Sequence, residues 1–498
     1  MHKYLKEYNK VLSQKCNYIG KTSLLSPTLC RVEAQTGLFR EIFFKNNNIK
    51  LNLRKKISEN FGFFLKPFRD YKISKSLKSY PFPKKIKNLF ITYADYRNFD
   101  NRNIWREEIF RGLYPSNQNI IIAIVNGKKS KDLEKINKFI SHCNDNSYIF
   151  SNYHFINFSK IVKATIYSFK SYFIILKKLI FQEIKIFNQD IKFKLLKKSY
   201  LDFTSGRIYT NELYKLTWRE INKECIINNI IFPWESQCWE RLICNEFYWE
   251  KTNIIGYQHT GFSYGLLQHF NTRFDRELNI TPHFIFTAGE VQKNILLKYK
   301  GFKYTKIIKF GSLRCSSKIN PDLINKKISE KIKKIYLCLG YNIFNYDRII
   351  DELKNIDNSI KIYVLIHPIN KYYIYKNKLE DNIKLITNRD NQDLKKADFL
   401  LVDDNSMMIE GWSLGVPTVI LESDKFNLSK RDWGSPIVHI ALNKLNKIVN
   451  KTFINKINKS IDEYIASNYG EKYFNETSIN NLFNFIEKIN SKKIKRKL

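Results

Sequence analysis

Short apolar runs that alternate with helix-length amphipathic stretches constrain this chain more than any other feature. From residue 282 onward, runs rich in Ile, Val, Leu and Phe recur at 283–287, 306–310, 334–340, 361–367, 383–387, 398–402 and 418–422. Helical patterns at 289–299, 346–354 and 406–414 separate several of them. A run that is apolar throughout, rather than every second residue, belongs to a strand buried on both faces, and strand–helix alternation then implies a parallel sheet. Ligands in such sheets bind at the carboxyl ends of the strands. The first half reads similarly but less regularly, with runs at 88–94, 119–125, 228–232 and 253–257, and helical stretches at 131–200 and 234–249. At 498 residues the chain exceeds one hydrophobic core. The reading divides it into an N-terminal region 1–87 of unclear role, a first α/β domain 88–281, a second 282–445, and C-terminal helices with a basic tail 446–498.

The formal net charge of +38 asks for an explanation. Clustered Lys and Arg would point to nucleic acid, but the cations are spread along the whole chain and no zinc, RNP or helix-turn-helix signature accompanies them. No nucleic-acid partner is expected. A solvated lysine-rich surface is the first reading, and peripheral contact with an anionic membrane the second. The stretch 161–187 is apolar yet broken by Lys163, Lys170, Lys177 and Lys178, so it reads as an interfacial or core helix rather than a span. Eight cysteines form no CxxC or zinc spacing, and the polar start MHKYLKEYNK is no secretory signal. A cytoplasmic protein with reduced thiols is expected.

The segment 397–421 (ADFLLVDDNSMMIEGWSLGVPTVIL) holds the densest signal. A buried strand leads into a polar turn, and a helix follows that ends at Gly415 with Pro417 beyond. Its first amides suit a phosphate, Asn405 and Ser406 lie in the turn, and Glu410 sits one helical turn in, where a carboxylate can accept both hydroxyls of a ribose. Capping alone would also explain Asn405 and Ser406. Asp403 and Asp404 read as turn residues, and no metal site is expected. VLIHP places His367 and Pro368 at another strand end, and Gly311 and Gly340 are strand-end glycines that let backbone approach a ligand. Upstream, IIGYQHTGFS delivers Gln258 and His259 into a glycine-bounded loop. PWESQCWER reads as a helix start with Glu235 in its first turn, and Asp95 closes the first apolar run.

Strand, polar turn, helix with a glutamate, then Leu-Gly-Val-Pro and another strand resembles the donor-binding motif of GT-B glycosyltransferases and their non-hydrolysing epimerase relatives. The His-Pro element resembles that of bacterial transferases using cytidine nucleotides, although Asn405-Ser406 stands where two hydroxyls are usual. The Gln-His loop resembles bacterial surface-polysaccharide proteins. The resemblance implies a GT-B-like α/β fold with two Rossmann-like parallel-sheet domains facing a central cleft, and a metal-independent enzyme without a cofactor beyond its nucleotide-sugar donor. It implies donor contacts from Gly311, Gly340, His367, Pro368, Asn405, Ser406 and Glu410, and Asp95 and Gln258 on the acceptor side. Glu235 or His259 would be the general base, and the acceptor a growing or lipid-linked surface glycan of the capsule or lipopolysaccharide kind. An epimerase or polyol-phosphate transferase on the same fold, or a non-catalytic nucleotide or glycan binder, are the alternatives.

Overall fold

The computed structural model describes the chain apart from residues 1–19, 27–29, 31–52, 78–80, 95–106, 108, 126–129, 147, 182–184, 187–188, 249–250, 260, 262–274, 276, 299–301, 303, 315–327, 329–330, 341–342, 371–372, 376–377, 388–389, 404, 406, 423–435 and 492–498. Helix α1 (Leu53–Lys75) precedes β1 (Lys85–Ala94), β2 (Asn119–Val125), α2 (Ser130–Asp145) and β3 (Ile149–Ser151). Next come α3 (Phe158–Ile180), a small hairpin of β4 (Lys185–Ile186) and β5 (Gln189–Asp190), α4 (Lys192–Thr204) and α5 (Arg207–Glu224). The first sheet resumes with β6 (Ile226–Pro233), α6 (Cys238–Phe247), β7 (Asn253–Gln258), β8 (Phe284–Thr287), α7 (Glu290–Lys298) and β9 (Lys306–Lys309). Its order is β3-β2-β1-β6-β7-β8-β9, and every pairing is parallel.

The second sheet contains β10 (Lys334–Cys338), β11 (Lys361–Leu365), β12 (Ile383–Ile386), β13 (Phe399–Val402), β14 (Thr418–Glu422) and β15 (Val438–Ala441). Between them lie α8 (Tyr346–Leu353), α9 (Asn391–Lys395) and α10 (Met407–Ser413). The order β12-β11-β10-β13-β14-β15, again all parallel, is the Rossmann arrangement in which the chain winds outward from the centre in both directions. Setting its hairpin aside, the first sheet repeats that arrangement with one strand added. The expectation of two Rossmann-like parallel sheets is met.

The domain boundary is not where the sequence reading put it. β8 and β9, assigned to the second domain, complete the first sheet, β8 pairing with β7 and β9 with β8, so the division falls between Lys309 and Lys334. Nor does region 1–87 stand apart: α1 packs on α3 and α4, with Phe63 stacked on Phe203. Four short strands were missed, β3, β4, β5 and β15, the first three within the stretch 131–200 that reads as helical.

Burial explains the continuous apolar runs. All but the first residue of β2 are buried, as are all four of β8 and β13. One polar row crosses this apolar interior. Asn88 Nδ2 donates to Asn119 Oδ1 at 2.9 Å, Asn229 Nδ2 to Asn88 Oδ1 at 3.0 Å, and Asn253 Nδ2 to Asn229 Oδ1 at 3.0 Å. These asparagines are in register on β2, β1, β6 and β7. A one-residue slip of any strand would move its carboxamide to the opposite face, so the row fixes register where apolar residues alone would tolerate error.

After β15, helices α11 (Lys451–Ser467) and α12 (Tyr469–Tyr473) lead to α13 (Ile479–Ser491), which returns to the first sheet. Leu482 and Ile486 are buried among first-sheet residues, and Phe483 and Phe485 meet Phe90, Phe286 and Phe310 edge-on. The connecting chain crosses the ends of β8 and β9: Asn475 donates its amide to Ala288 O at 2.9 Å and accepts from Ser312 N at 2.5 Å.

Candidate active site at the strand ends

In both sheets the crevice for a ligand should open where the winding reverses: beyond β1 and β6 in the first, beyond β10 and β13 in the second. Glu235 follows β6 by two residues. Trp234 N donates to Tyr257 O at 2.8 Å, holding the turn against β7. Gly256 makes room for it, since a Cβ there would lie 2.9 Å from Trp234 Cβ. Glu235 is thus in the turn and not in the first turn of a helix, as the sequence had suggested; α6 starts at Cys238, behind a capping box of Gln237 and Glu240. The buried Glu240 carboxylate accepts from the amides of Glu235 at 2.8 Å and Gln237 at 3.1 Å. Between them Ser236 takes φ +58°, a left-handed conformation that L-residues adopt at a cost. Such strain needs surrounding structure to hold it and concentrates at functional sites.

The structure brings Glu235 and His259 together. His259, one residue beyond β7, has 4% of its side chain exposed, and its Nε2 lies 3.7 Å from Glu235 Oε1. Gln237 Nε2 donates to the other oxygen, Oε2, at 3.3 Å. Burial pushes the His259 pKa down to about 4; the Glu235 charge opposes this and Arg314 reinforces it. At neutral pH the ring is uncharged, so the contact is a carboxylate beside a neutral imidazole, beyond hydrogen-bond range. Glu235, with 31% of its side chain exposed, is the member of the pair that a substrate can reach.

Arg314 was not singled out from the sequence. It is exposed at the end of the buried segment after β9, which Tyr257 secures by accepting from Leu313 N at 2.8 Å and donating to Gly311 O at 3.2 Å. Gly311, expected to approach a donor, instead belongs to the first sheet and admits the crossing chain. It has φ +128°, and a Cβ there would lie 2.7 Å from Asn475 O. Gln258, expected on the acceptor side, is fully buried as the last residue of β7, with Ala288 N donating to its carbonyl at 3.2 Å. A substrate cannot touch it without displacing core. Asp95 lies outside the described residues.

At the second sheet the strand ends are joined by polar links. Gly340 N donates to the buried Asp403 Oδ2 at 3.3 Å, and Gly340 O accepts from Tyr346 Oη at 2.6 Å. Asn370 Nδ2 donates to Tyr346 Oη at 3.1 Å, and Asn370 N to His367 O at 2.8 Å. Burial raises the Tyr346 pKa to about 12, so the hydroxyl stays protonated. His367 is half-buried beyond β11, and Pro368 is exposed. Asn405 does not offer its side chain to a ligand: Nδ2 donates to Cys338 O at 3.0 Å while Oδ1 accepts from Met407 N at 2.8 Å. It caps α10 and ties β13 to β10, which corrects the phosphate role expected of it. Ser406 and Asp404 lie outside the described residues. Glu410 is half-buried in the first turn of α10. Among the described residues no cluster of His, Cys, Asp or Glu could hold a metal ion.

Two Rossmann-ordered sheets in series, each with its reversal point at the carboxyl edge, decide the architecture. The fold is GT-B-like. No protein-family model matches the chain, and no curated protein does. Solved structures that match include UDP-GlcNAc 2-epimerase from Neisseria meningitidis bound to UDP-GlcNAc, at 13% identity and TM-score 0.37 over 82% of this chain and 98% of that one. MurG of Acinetobacter baumannii matches at 8% identity and TM-score 0.40, over 82% and 100%. Anabaena HepE in complex with UDP-glucose matches at 11% and 0.38, over 82% and 99%. At such values the function has to be argued from the side chains.

Proposed function

We propose that the chain is a glycosyltransferase that uses a nucleotide-sugar donor, with the donor at the carboxyl edge of the second sheet and the acceptor at that of the first. The Glu235–His259 pair carries the reading. An acceptor hydroxyl becomes a competent nucleophile when a base within about 3 Å takes its proton. Glu235 is positioned to do so, with its carboxylate half-open to solvent, oriented by Gln237 and backed by a neutral imidazole. His259 lies against the carboxylate without neutralising it. Arg314, close enough to influence His259 electrostatically, is free to lean toward the leaving nucleotide, whose growing charge a guanidinium stabilises. Glu410 accepts from the donor ribose, and His367 lies beside its phosphate. A surface glycan, lipid-linked or free, is the acceptor class. The cytidine-type donor remains one of the candidates that the His-Pro element supports.

The test is a thermal-shift panel of CMP, CDP, UDP and GDP on wild type and Glu410→Ala. A nucleotide at a hundred times its dissociation constant stabilises by about 2.7 kcal/mol. One nucleotide should shift wild type and not the variant, and that nucleotide's sugar should then be transferred to an acceptor. Turnover of the nucleotide-sugar without acceptor would identify an epimerase instead. Silence from all four with well-folded protein would leave a non-catalytic protein.

A further inference from the structure

A surface helix ordinarily turns its apolar stripe inward and its charges outward. α3 departs from this. Its inner side mixes Ile161, Ile175 and Leu179 with Ala164, Ser168 and Ser171, the last donating to Glu212 of α5 at 2.6 Å. Its outer side carries Phe158, Val162, Ile166, Phe169, Phe173 and Ile180, all exposed, Phe173 at 60%. At 100° per residue these six fall within an arc of about 80°. Among the described residues only its flanks are covered, Phe169 packing edge-on against Phe63 of α1 and Phe203 of α4, and the exposed face continues onto both of those helices. On α1, Phe61, Phe64, Leu65 and Phe68 are exposed at helical spacing, and Tyr71 meets Phe158 edge-on with ring centroids 5.8 Å apart. At the far end, Lys192 Nζ reaches Ile180 O at 3.4 Å and brings up Phe193 of α4, which is 79% exposed.

Charge indicates what covers this face. Lys163, Lys170, Lys177 and Lys178 are exposed on α3, and the helix holds no acidic residue along its whole length. Exposed Lys72 and Lys75 end α1, and Lys194 and Lys197 lie on α4. A second copy of the chain would set these lysines against their equivalents with no carboxylate on α3 to pair them. An anionic bilayer surface offers both things the face needs: an apolar layer for aromatic and aliphatic side chains and phosphates for the ammonium groups around them. No helix among the described residues is long and apolar enough to cross a membrane. We propose that α1, α3 and α4 together form a docking face that lies on an anionic lipid bilayer. α5, along which α3 packs, leads directly into β6, whose following turn holds Glu235, so a single helix separates the docking face from that turn in the chain.

The experiment is flotation of the full chain with phosphatidylcholine vesicles, with and without phosphatidylglycerol, in physiological salt. Wild type should float with the anionic vesicles only. Ile166→Glu combined with Phe173→Glu should lower the partition roughly a hundredfold, about tenfold for each apolar side chain withdrawn. Tyr114→Glu combined with Ile374→Glu, exposed elsewhere, should float like wild type. Melting temperatures of both variants establish that they are folded. Equal flotation of the α3 variant, equal binding to neutral vesicles or absence of wild-type flotation would each overturn the proposal. Lipid-free self-association that the α3 variant abolishes would overturn it too, assigning the face to a second copy. Nucleotide binding is not needed for docking, so failure here leaves the proposed chemistry standing, and failure of the chemistry leaves the face.

Discussion

The carboxyl edges of the two sheets share a geometry and differ in chemistry. Beyond β6 and β7 the side chains are ionisable, strained into place and held by a buried glutamate: Glu235 beside a neutral His259, with Ser236 in a left-handed conformation between supports. Beyond β10, β11 and β13 the strand ends are joined by uncharged links among Gly340, Tyr346, Asn370 and the His367 carbonyl, the buried Asp403 carboxylate is bound to an amide, and the His367 and Glu410 side chains are half-buried. The first edge can move a proton. The second can hold a polar ligand without changing charge. A reaction that couples a base to a departing nucleotide uses both kinds, and the proposed division of labour follows from that contrast.

The contrast can be broken first at its centre. Glu235→Gln keeps size and hydrogen bonding but removes the base, and should lower transfer by about 10²–10⁴-fold while the nucleotide thermal shift stays intact. Steady-state rates beside melting curves read both; full activity would remove Glu235 as base. The next largest effect is on stability against pH. Burial holds the folded His259 near 4, against 6.5 for an unperturbed histidine, so the unfolded chain takes up the proton first as pH falls. The contribution is complete above about 6.5 and declines by up to ~3 kcal/mol on the way to pH 4. Denaturant midpoints across that window should flatten in His259→Asn, and an unchanged slope would show that other groups dominate.

Within the scaffold, Asn229→Leu should cost about 2–3 kcal/mol, since it takes the donor from the buried Asn88 Oδ1 and from Lys87 O and one acceptor from Asn253. Asn119→Leu, at the end of the row, should cost about half as much. Chemical denaturation distinguishes the two, and equal costs would mean that the row is not acting as a chain. Smallest is Arg314→Ala, which should weaken nucleotide-sugar turnover by about tenfold with little change in stability; an unaltered rate would place the guanidinium outside the reaction.

The strands of both sheets were legible because continuous β-branched runs admit few other readings, and their alternation with helices gave the parallel topology. The boundary was not, because β8 and β9 carry the same signal as β10. Which sheet they join depends on α13, whose Phe485 packs on Phe286 and Phe310 from far along the chain. β15 is short and contains His439, which hid it. Glu235 and His259 could be singled out separately, but nothing in the sequence showed them to be neighbours. Arg314 escaped notice since its loop is placed by Tyr257, 54 residues earlier. Asn405 misled because a capping residue and a phosphate contact use the same residue types. The asparagine row did leave a trace: four apolar runs begin with Asn.

That row does not stop at the sheet. Asn253 also donates to Asn490 Oδ1 on α13, at 2.8 Å. Synthesis proceeds from the N-terminus, so the first domain leaves the ribosome long before residue 490 exists. Until then its outermost rung is open and Phe90, Phe286 and Phe310 lack the aromatic cover that α13 supplies. The half of the molecule made first is therefore finished last, and a nascent chain cut short before Ile479 would present an uncapped aromatic surface rather than an independent domain.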